Sequence, residues 1–240
     1  MRSVKKGGGH FRLNNRHVLY LSEIAAGIAT TAARAWQNFD GLDGTRHACW
    51  CEQFGLCAYS EILLSDDDLG MHVDHVEPKS INQARTFDHA NLLLSAISSD
   101  KLKGLPRGEV FGGHFRGNQY SVTDFVTPLW ADCCRFFHYA SSGEIDPALG
   151  LSVDDEKKAR YTIDALNLNA PLLVSRRRIW LLELEQEIEN LLDSPIALDW
   201  FADAELCDTG GRLRPFHSAV RQRFGRLGQS VINHRCPNCD

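Results

Sequence analysis

Apolar residues recur at spacings of three and four along several parts of the chain, and this period predicts helices. The first predicted helix covers 17–39, where the apolar positions share one face and Gly41 follows the last of them. The same spacing predicts helices over 154–166, 171–192 and 197–207. The last third of the chain is therefore predicted to be mainly helical.

A different pattern follows the first helix. Short apolar runs bounded by polar residues predict two strands, over 57–64 and 71–76, and Pro78 closes the second. A helix is predicted over 88–102, with Gly104 after its end. The pattern therefore predicts an α+β chain in which a small strand-containing core is embedded among helices.

Composition narrows the class of protein. The chain has 240 residues, of which 43% are hydrophobic and 24% charged, as in ordinary globular proteins. No apolar run approaches the roughly 18 residues that cross a bilayer, so we expect no membrane association. The basic N-terminus has no apolar stretch behind it, which argues against a secretory signal. We therefore expect a cytoplasmic protein whose eight cysteines are reduced.

Charge is distributed unevenly along the chain. The formal net charge is -5, yet residues 1–22 carry five basic residues and no acid, and residues 212–235 carry six arginines and no acid. The chain is thus an acidic body with two basic ends. The ends are either solvated arms or contact surfaces for nucleic acid or a partner.

The residues suited to catalysis concentrate after the first predicted strand. Asp74 and His75 are adjacent at the end of a strand, and neighbouring strand residues point to opposite faces unless the chain turns. Pro78 supplies a turn, so Asp74 can reach a metal while His75 faces a water. A neutral imidazole can take a proton from water near pH 7, and Mg²⁺ prefers carboxylate oxygens. An isolated Asp-His pair is commonly a plain surface turn, but Asn91 and Asp100 follow in order and favour catalysis.

The order of these residues resembles the HNH nuclease family over roughly 57–104. The longer pattern resembles the HNH proteins of Septu-type bacterial anti-phage defence systems, the PtuB kind, including retron-associated members. This likeness is carried by a basic Met-Arg-x-Val-Lys-Lys start and by the following motifs: His75-x-x-Pro78-Lys79-Ser80, Asn91-Leu-Leu, Lys103-Gly104, Phe137-x-Tyr139, Gly143-Glu144-Ile145, and Thr162-Ile-x-x-Leu-Asn-Leu-Asn169 followed by Arg176.

The resemblance implies a small ββα-metal core built around Mg²⁺ or Mn²⁺. By the resemblance His75 is the general base, Asn91 braces the loop and orients His75, and Asp74 is a metal ligand. Asp100 takes the position of the second ligand, where the family usually has Asn or His. The implied activity is hydrolysis of phosphodiester bonds in DNA, or in a structured RNA such as a tRNA. The implied partner is an ATPase within a larger hetero-oligomer.

Basic residues near this core and in the C-terminal tail are the candidate contacts to nucleic acid. Three lysines belong to the core region, and three arginines lie in the tail, where Phe216 and Phe224 are interspersed: Lys79, Lys101, Lys103, Arg221, Arg223 and Arg226. On a regular helix Arg223 and Arg226 lie one turn apart and can follow a phosphate backbone. The alternative is that the tail docks on an acidic surface of the partner or of this chain.

The cysteines suggest a separate zinc site. Many HNH proteins frame the core with two Cys-x-x-Cys pairs, but at those positions this chain keeps only Cys57, so we expect that zinc to be lost. Cys236-x-x-Cys239 is half of a zinc site, and Cys49-x-Cys51 could supply the other half. The alternatives are free thiols in the tail and a buried cysteine pair. Two other candidates, His72 near the metal and Cys207, are expected mainly to support the fold.

We divide the chain into a basic N-terminal arm and helix at 1–50, an HNH core at 51–110, and a mainly helical region with the arginine-rich tail at 111–240. Three functions fit this division: a metal-dependent nuclease, an HNH scaffold that binds without cutting, and an adaptor whose basic ends dock onto a protein. The intact set of Asp, His and Asn favours the nuclease.

Overall fold

The computed structural model describes residues 1–66, 68–237 and 239. It is a mixture of helices and two small antiparallel sheets, in agreement with the predicted α+β class. The helices are α1 Phe11–Ala25, α2 Ala32–Gln37, α3 Leu42–Glu52, α4 Ser99–Leu102, α5 Gly113–Arg116, α6 Val153–Ala165, α7 Pro171–Leu191, α8 Pro195–Leu206 and α9 His217–Arg235. The strands are β1 Met71–His75, β2 Leu92–Ala96, β3 Phe137–Tyr139 and β4 Ile145–Pro147.

The first sheet is a hairpin whose second strand lies where a helix was predicted. β1 pairs with β2 in antiparallel register, from Met71 opposite Ala96 to His75 opposite Leu92. All five residues of β2 are buried, which explains why its sequence, Leu-Leu-Leu-Ser-Ala, does not alternate between apolar and polar residues. The predicted helix over 88–102 is therefore wrong except for α4, because a short buried strand and a buried helix segment have the same apolar pattern.

The predicted strand over 57–64 is also wrong. This segment turns back on itself, with hydrogen bonds from Cys57 N to Ile62 O and from Glu61 N to Cys57 O. Glu61 has a φ of 58°, which a strand does not allow. The segment still packs on the hairpin, where Ala58 N donates to Leu94 O. Its apolar character reflects burial against β2.

The predicted helix over 17–39 is two helices. α1 begins six residues earlier than predicted and ends at Ala25, and Gly27 with a φ of 70° follows it. α2 then begins after Thr31, whose hydroxyl accepts a hydrogen bond from Arg34 N. The sequence pattern did not predict α3.

The three helices predicted in the last third are confirmed as α6, α7 and α8, each within about two residues at either end. Pro171 and Pro195 begin α7 and α8, where a missing N–H costs nothing. α9 packs on both α7 and α8 and has a kink at Gly225, where φ is 55°. Of the residues that the structure describes, none belongs to a helix long and apolar enough to cross a membrane.

One connected hydrophobic core draws residues from all three predicted regions of the chain. The basic ends pack against this body. Val4 is buried and its N donates to Pro128 O, and Lys6 forms an ion pair with Glu52. The interpretation of the N-terminal end as a solvated arm is therefore wrong.

Candidate active site

A cleft of about 950 Å³ opens at the end of β1. It lies between α2, the hairpin, the loop after β1 and the start of α5. Its walls carry aromatic, acidic and basic side chains, including Trp36, His72, Asp74, His75, Lys79 and His114. Asp74 and His75 therefore share one cleft, as the adjacent positions predicted.

His75 is held as a neutral base. Its Nε2 lies 2.9 Å from Thr86 O, and because a carbonyl only accepts, Nε2 carries the proton. Nδ1 therefore keeps its lone pair and lies 3.3 Å from Lys79 Nζ. Burial and the nearby Lys79 charge lower the pKa of His75 to about 4. The imidazole is consequently unprotonated at pH 7.

Asn91 fixes the loop that holds His75. Its side chain is fully buried; Oδ1 accepts from Glu77 N at 2.8 Å, and Nδ2 donates to Glu77 O at 3.0 Å and to Arg85 O at 3.2 Å. Arg85 directly precedes Thr86, whose carbonyl oxygen accepts the hydrogen bond from His75 Nε2. These bonds agree with the expectation that Asn91 braces the loop, although it lies in a short 3-10 turn, His89–Asn91, and not in a helix.

Asp74 is ionised although it is largely buried. Its Oδ2 accepts from Tyr59 Oη at 2.6 Å and from Arg116 Nη2 at 2.9 Å. Burial opposes ionisation, but the Arg116 charge and these hydrogen bonds lower the pKa of the carboxyl below its usual value. Arg116 also donates to the carbonyls of His75 and Val76, so it fastens α5 to the end of β1.

Two further histidines lie near Asp74: His72 approaches its second carboxylate oxygen, and His114 stacks on His72. His72 donates from Nδ1 to Ile97 O at 2.7 Å, which leaves the Nε2 lone pair. A Cβ placed on Gly113 would lie 2.6 Å from Asp74 Oδ1 and 2.9 Å from His72 Nε2, so both atoms lie over this glycine. The His114 ring stacks on His72 at 3.7 Å between centroids.

The His114 side chain is the unsatisfied member of this group. Its Nε2 is buried and has no hydrogen-bond partner among the described residues. Burial and the adjacent His72 ring lower the pKa of His114 to about 4, so it too is a neutral donor of a lone pair. Sequence reasoning missed His114, Arg116 and Tyr59, because only the fold brings them to β1. His72 was considered, on the signal that it shares the strand face of Asp74.

Asp100 and two of the predicted lysines lie apart from these groups. Asp100 and Lys101 are exposed on α4, and Lys103 is exposed just after it. None of the three lines the cleft, whereas the neighbouring Ser99 does. Of the lysines predicted to contact nucleic acid, Lys79 alone lines the cleft. The structure therefore does not place Asp100 beside Asp74 as a second ligand.

The tail arginines are also separate from the cleft. Arg223 is largely buried; it pairs with Glu185 and donates to Tyr139 O at 2.9 Å. Arg226 is exposed, and the kink at Gly225 separates the two, so the regular helical spacing predicted for them is wrong. Arg221 is half-buried beside a small cavity that Tyr139 also lines. The bonds of Arg223 match the alternative in which the tail docks on this chain.

The cysteine pairs predicted to share a zinc ion are not brought together. Cys49 is buried beneath Lys6, and Cys51 is exposed with its Sγ 3.8 Å from His47 Nε2. Cys236 and Cys239 instead pack against the end of α8. No three ligand atoms from this predicted set lie within 4.8 Å of one another. The predicted pairing is therefore wrong.

A different group, Cys49, Glu52 and His89, can hold a metal ion, because one ligand atom from each lies within 4.8 Å of the others. The ammonium of Lys6 already contacts this group, 2.5 Å from Glu52 Oε2 and 3.6 Å from Cys49 Sγ. Gly7 N and His89 Nε2 each approach Glu52 Oε1 at 2.7 Å. Burial raises the pKa of Cys49 to about 11, which keeps it protonated. Lys6 therefore supplies the positive charge that these ligands need.

No protein-family model matches the chain, and a comparison with curated proteins finds no significant match.

Proposed function

We propose that this chain is a metal-dependent endonuclease of the HNH kind that hydrolyses phosphodiester bonds. The observation that carries the proposal is the cleft at the end of β1, which is lined both by His75, whose Nδ1 keeps its lone pair, and by the ionised Asp74. A positioned base and a carboxylate next to a positive charge are the groups that hydrolysis of a phosphodiester requires. The hairpin, its loop and α4 would form the ββα core.

His75 acts as the general base. Because its Nε2–H is held by Thr86 O, only Nδ1 can take the proton from water, and the ring cannot change tautomer without losing that bond. Lys79 lies within reach of the same nitrogen, where its ammonium can bind a non-bridging phosphate oxygen. Pairing with phosphate would offset the Lys79 charge and so raise the basicity of His75 in the complex.

Asp74 Oδ1, His72 Nε2 and His114 Nε2 would hold the metal ion after a side-chain movement, because ligand atoms of these three residues do not all lie within 4.8 Å of one another. The fit rests on the buried, unpartnered Nε2 of His114 and on the two atoms that meet over Gly113. A divalent metal supplies charge stabilisation of the phosphoryl and leaving oxygens. Two imidazoles and one carboxylate suit Mn²⁺ or another first-row transition ion better than Mg²⁺, which prefers oxygen ligands.

The substrate and partner follow from the family resemblance and the charge distribution. With a net charge of -5, the chain is a weak binder of a polyanion by itself. An ATPase partner in a defence complex would deliver DNA, or a structured RNA, to the cleft. We place this hetero-oligomer in the bacterial cytoplasm.

A second candidate function is an HNH scaffold that binds nucleic acid or the partner without cutting. The observation that favours it is the ion pair between Asp74 and the buried Arg116, because this pair already neutralises the carboxylate. Under this alternative, His72, His114 and His75 support the fold alone.

A cleavage assay separates the two functions. The chain, alone and with the ATPase encoded beside it, is incubated with labelled duplex DNA, single-stranded DNA and total RNA in Mn²⁺, Mg²⁺ or EDTA. We expect cleavage in Mn²⁺, less in Mg²⁺ and none in EDTA, and loss of cleavage in Asp74→Asn. Asp146→Asn is the matched control, since Asp146 is exposed on β4. Cleavage that persists in EDTA, or in Asp74→Asn, would contradict the proposal.

A further inference from the structure

Three cysteines meet at the C-terminal ends of the last two long helices. Cys207 directly follows α8, Cys236 directly follows α9, and Cys239 lies three residues further on. Cys236 and Cys239 are buried and Cys207 is half-buried. None of the three lines the cleft. The proposed nuclease makes no use of them.

The Cys236 thiol interacts with the thiols of both Cys207 and Cys239. Cys236 Sγ lies 3.7 Å from the carbonyl oxygen of Leu206, and Cys239 Sγ lies 3.9 Å from Asp208 Oδ1. The C-terminal pair thus contacts the residues on either side of Cys207. Cys239 N also donates to Cys236 O at 2.8 Å, which closes the Cys-x-x-Cys segment into a tight turn. Such a turn directs both sulfurs toward the same side of the chain.

The thiols stand in a setting that a cation would relieve. Cys236 and Cys239 are buried, Cys207 is half-buried, and the Cys236 thiol interacts with the other two. Without a cation, three thiolates here would repel one another in a poorly solvated position. A zinc ion would displace three protons and offset two of the negative charges of the thiolates, which is the usual chemistry of thiolate zinc sites.

We propose that Cys207, Cys236 and Cys239 bind one structural zinc ion, with the carboxylate of Asp208 as the fourth ligand. Asp208 lies next to Cys207 in sequence and approaches Cys239. The other nearby acid, Asp203, forms an ion pair with Arg235 at 3.4 Å. Four protein ligands close the coordination sphere, so this zinc would serve stability and not catalysis.

Binding requires a small rearrangement of side chains. With a Zn–S bond of about 2.3 Å, the sulfurs of a tetrahedral site are about 3.8 Å apart. No three of the four proposed ligands offer atoms within 4.8 Å of one another, so at least two of these side chains move when the ion binds. The consequence is a clip that fastens the end of α9 to the end of α8. The clip also holds the tail against the N-terminal segment, where Lys5 Nζ donates to Pro237 O at 3.2 Å.

The test measures zinc in the purified full chain by mass spectrometry of the metal and by cobalt substitution. We expect one zinc per chain, a cobalt spectrum with thiolate charge-transfer and tetrahedral bands, and zinc affinity at least tenfold weaker in Cys207→Ser, Cys236→Ser and Cys239→Ser. Asp208→Asn should weaken binding as well. Cys51→Ser is the matched control and should bind zinc as wild type does, because Cys51 is exposed and is not one of the proposed ligands.

Three results would overturn the proposal. The first is full zinc content in Cys207→Ser. The second is loss of zinc in His89→Ala together with its retention in the Cys207 variant, which would place the ion at Cys49, Glu52 and His89. The third is an intact mass two hydrogens lower without reductant, which would show a disulfide instead. If the serine variants fail to fold, the cobalt spectrum of the wild type decides, since a spectrum without thiolate bands contradicts the site. The nuclease proposal is tested separately, because its test is the loss of cleavage in Asp74→Asn.

Discussion

Gly113→Ala perturbs the candidate metal ligands without removing any of them. The new Cβ would lie 2.6 Å from Asp74 Cγ and Oδ1 and 2.9 Å from His72 Nε2, whereas ordinary contacts begin at 3.4 Å. Relief of these contacts requires the carboxylate to move by about 0.8 Å and the imidazole by about 0.5 Å. A misplacement of about 1 Å in a catalytic group can cost about 10²-fold in rate. We therefore expect kcat/KM to fall by about that factor.

The same substitution should leave the protein folded. Overpacking typically costs about 1–3 kcal/mol, and replacing a helical glycine by alanine returns about 0.5–1 kcal/mol. Gly113 is the first residue of α5 and has no positive φ, so alanine fits its backbone. The free energy of unfolding should fall by about 1 kcal/mol, measured by urea denaturation.

The assay compares cleavage rate and Mn²⁺ affinity for wild type, Gly113→Ala and Gly108→Ala. Gly108 is the matched control because no atom of the described residues lies within 4 Å of a Cβ placed there. The control should cut and bind Mn²⁺ as wild type does. If Gly113→Ala also cuts at the wild-type rate and binds Mn²⁺ equally well, Asp74 and His72 do not hold the metal.

Further substitutions at three places test the loop, a buried histidine and the tail. Asn91→Ala removes three hydrogen bonds and leaves the Glu77 amide and carbonyl unsatisfied, so the free energy of unfolding should fall by about 2–4 kcal/mol in urea; a loss under 1 kcal/mol would contradict the bracing role. Burial lowers the pKa of His217 to about 4 from its ordinary 6.5. The unfolded chain therefore binds a proton at this histidine at a higher pH than the folded chain does. On acidification the free energy of unfolding should fall between about pH 6.5 and 4, by up to roughly 3 kcal/mol. In His217→Gln, the slope of the free energy of unfolding against pH should correspond to nearly one bound proton fewer over this range. An unchanged slope would contradict the assignment of that proton to His217. Arg223→Gln should lower the melting temperature, whereas the exposed Arg226→Gln should leave it unchanged; the opposite order would contradict the internal docking of the tail.

Local patterns predicted the parts of this structure that depend on local physics. The helices α6, α7 and α8 have a clear apolar period. Ser152 caps the start of α6, and Pro171 and Pro195 begin α7 and α8, so all three helices lie close to their predicted ranges. Asp74 and His75 both line one cleft. They are the last two residues of β1, and the chain turns soon after them at Pro78.

The sequence could not show contacts that depend on the whole fold. The apolar run of β2 fits a helix as well as a strand until its burial on both faces is known. His114 and Arg116 lie about 40 residues beyond Asp74, and no local spacing connects them to it. The predicted zinc pairing of Cys236 with Cys49 was wrong for the same reason. The helices α8 and α9 pack side by side, and this contact places Cys236 against Leu206, the residue before Cys207.

The single-turnover rate of phosphodiester cleavage by His75→Ala, relative to wild type, tests the central claim most directly. The variant keeps Asp74, Lys79 and the candidate metal ligands, so substrate and Mn²⁺ should still bind. Loss of the general base should lower the rate by about 10²–10⁴-fold. His234→Ala, which changes an exposed histidine far along α9, should cut at the wild-type rate. Cleavage by His75→Ala at the rate of that control would contradict the assignment of His75 as the base.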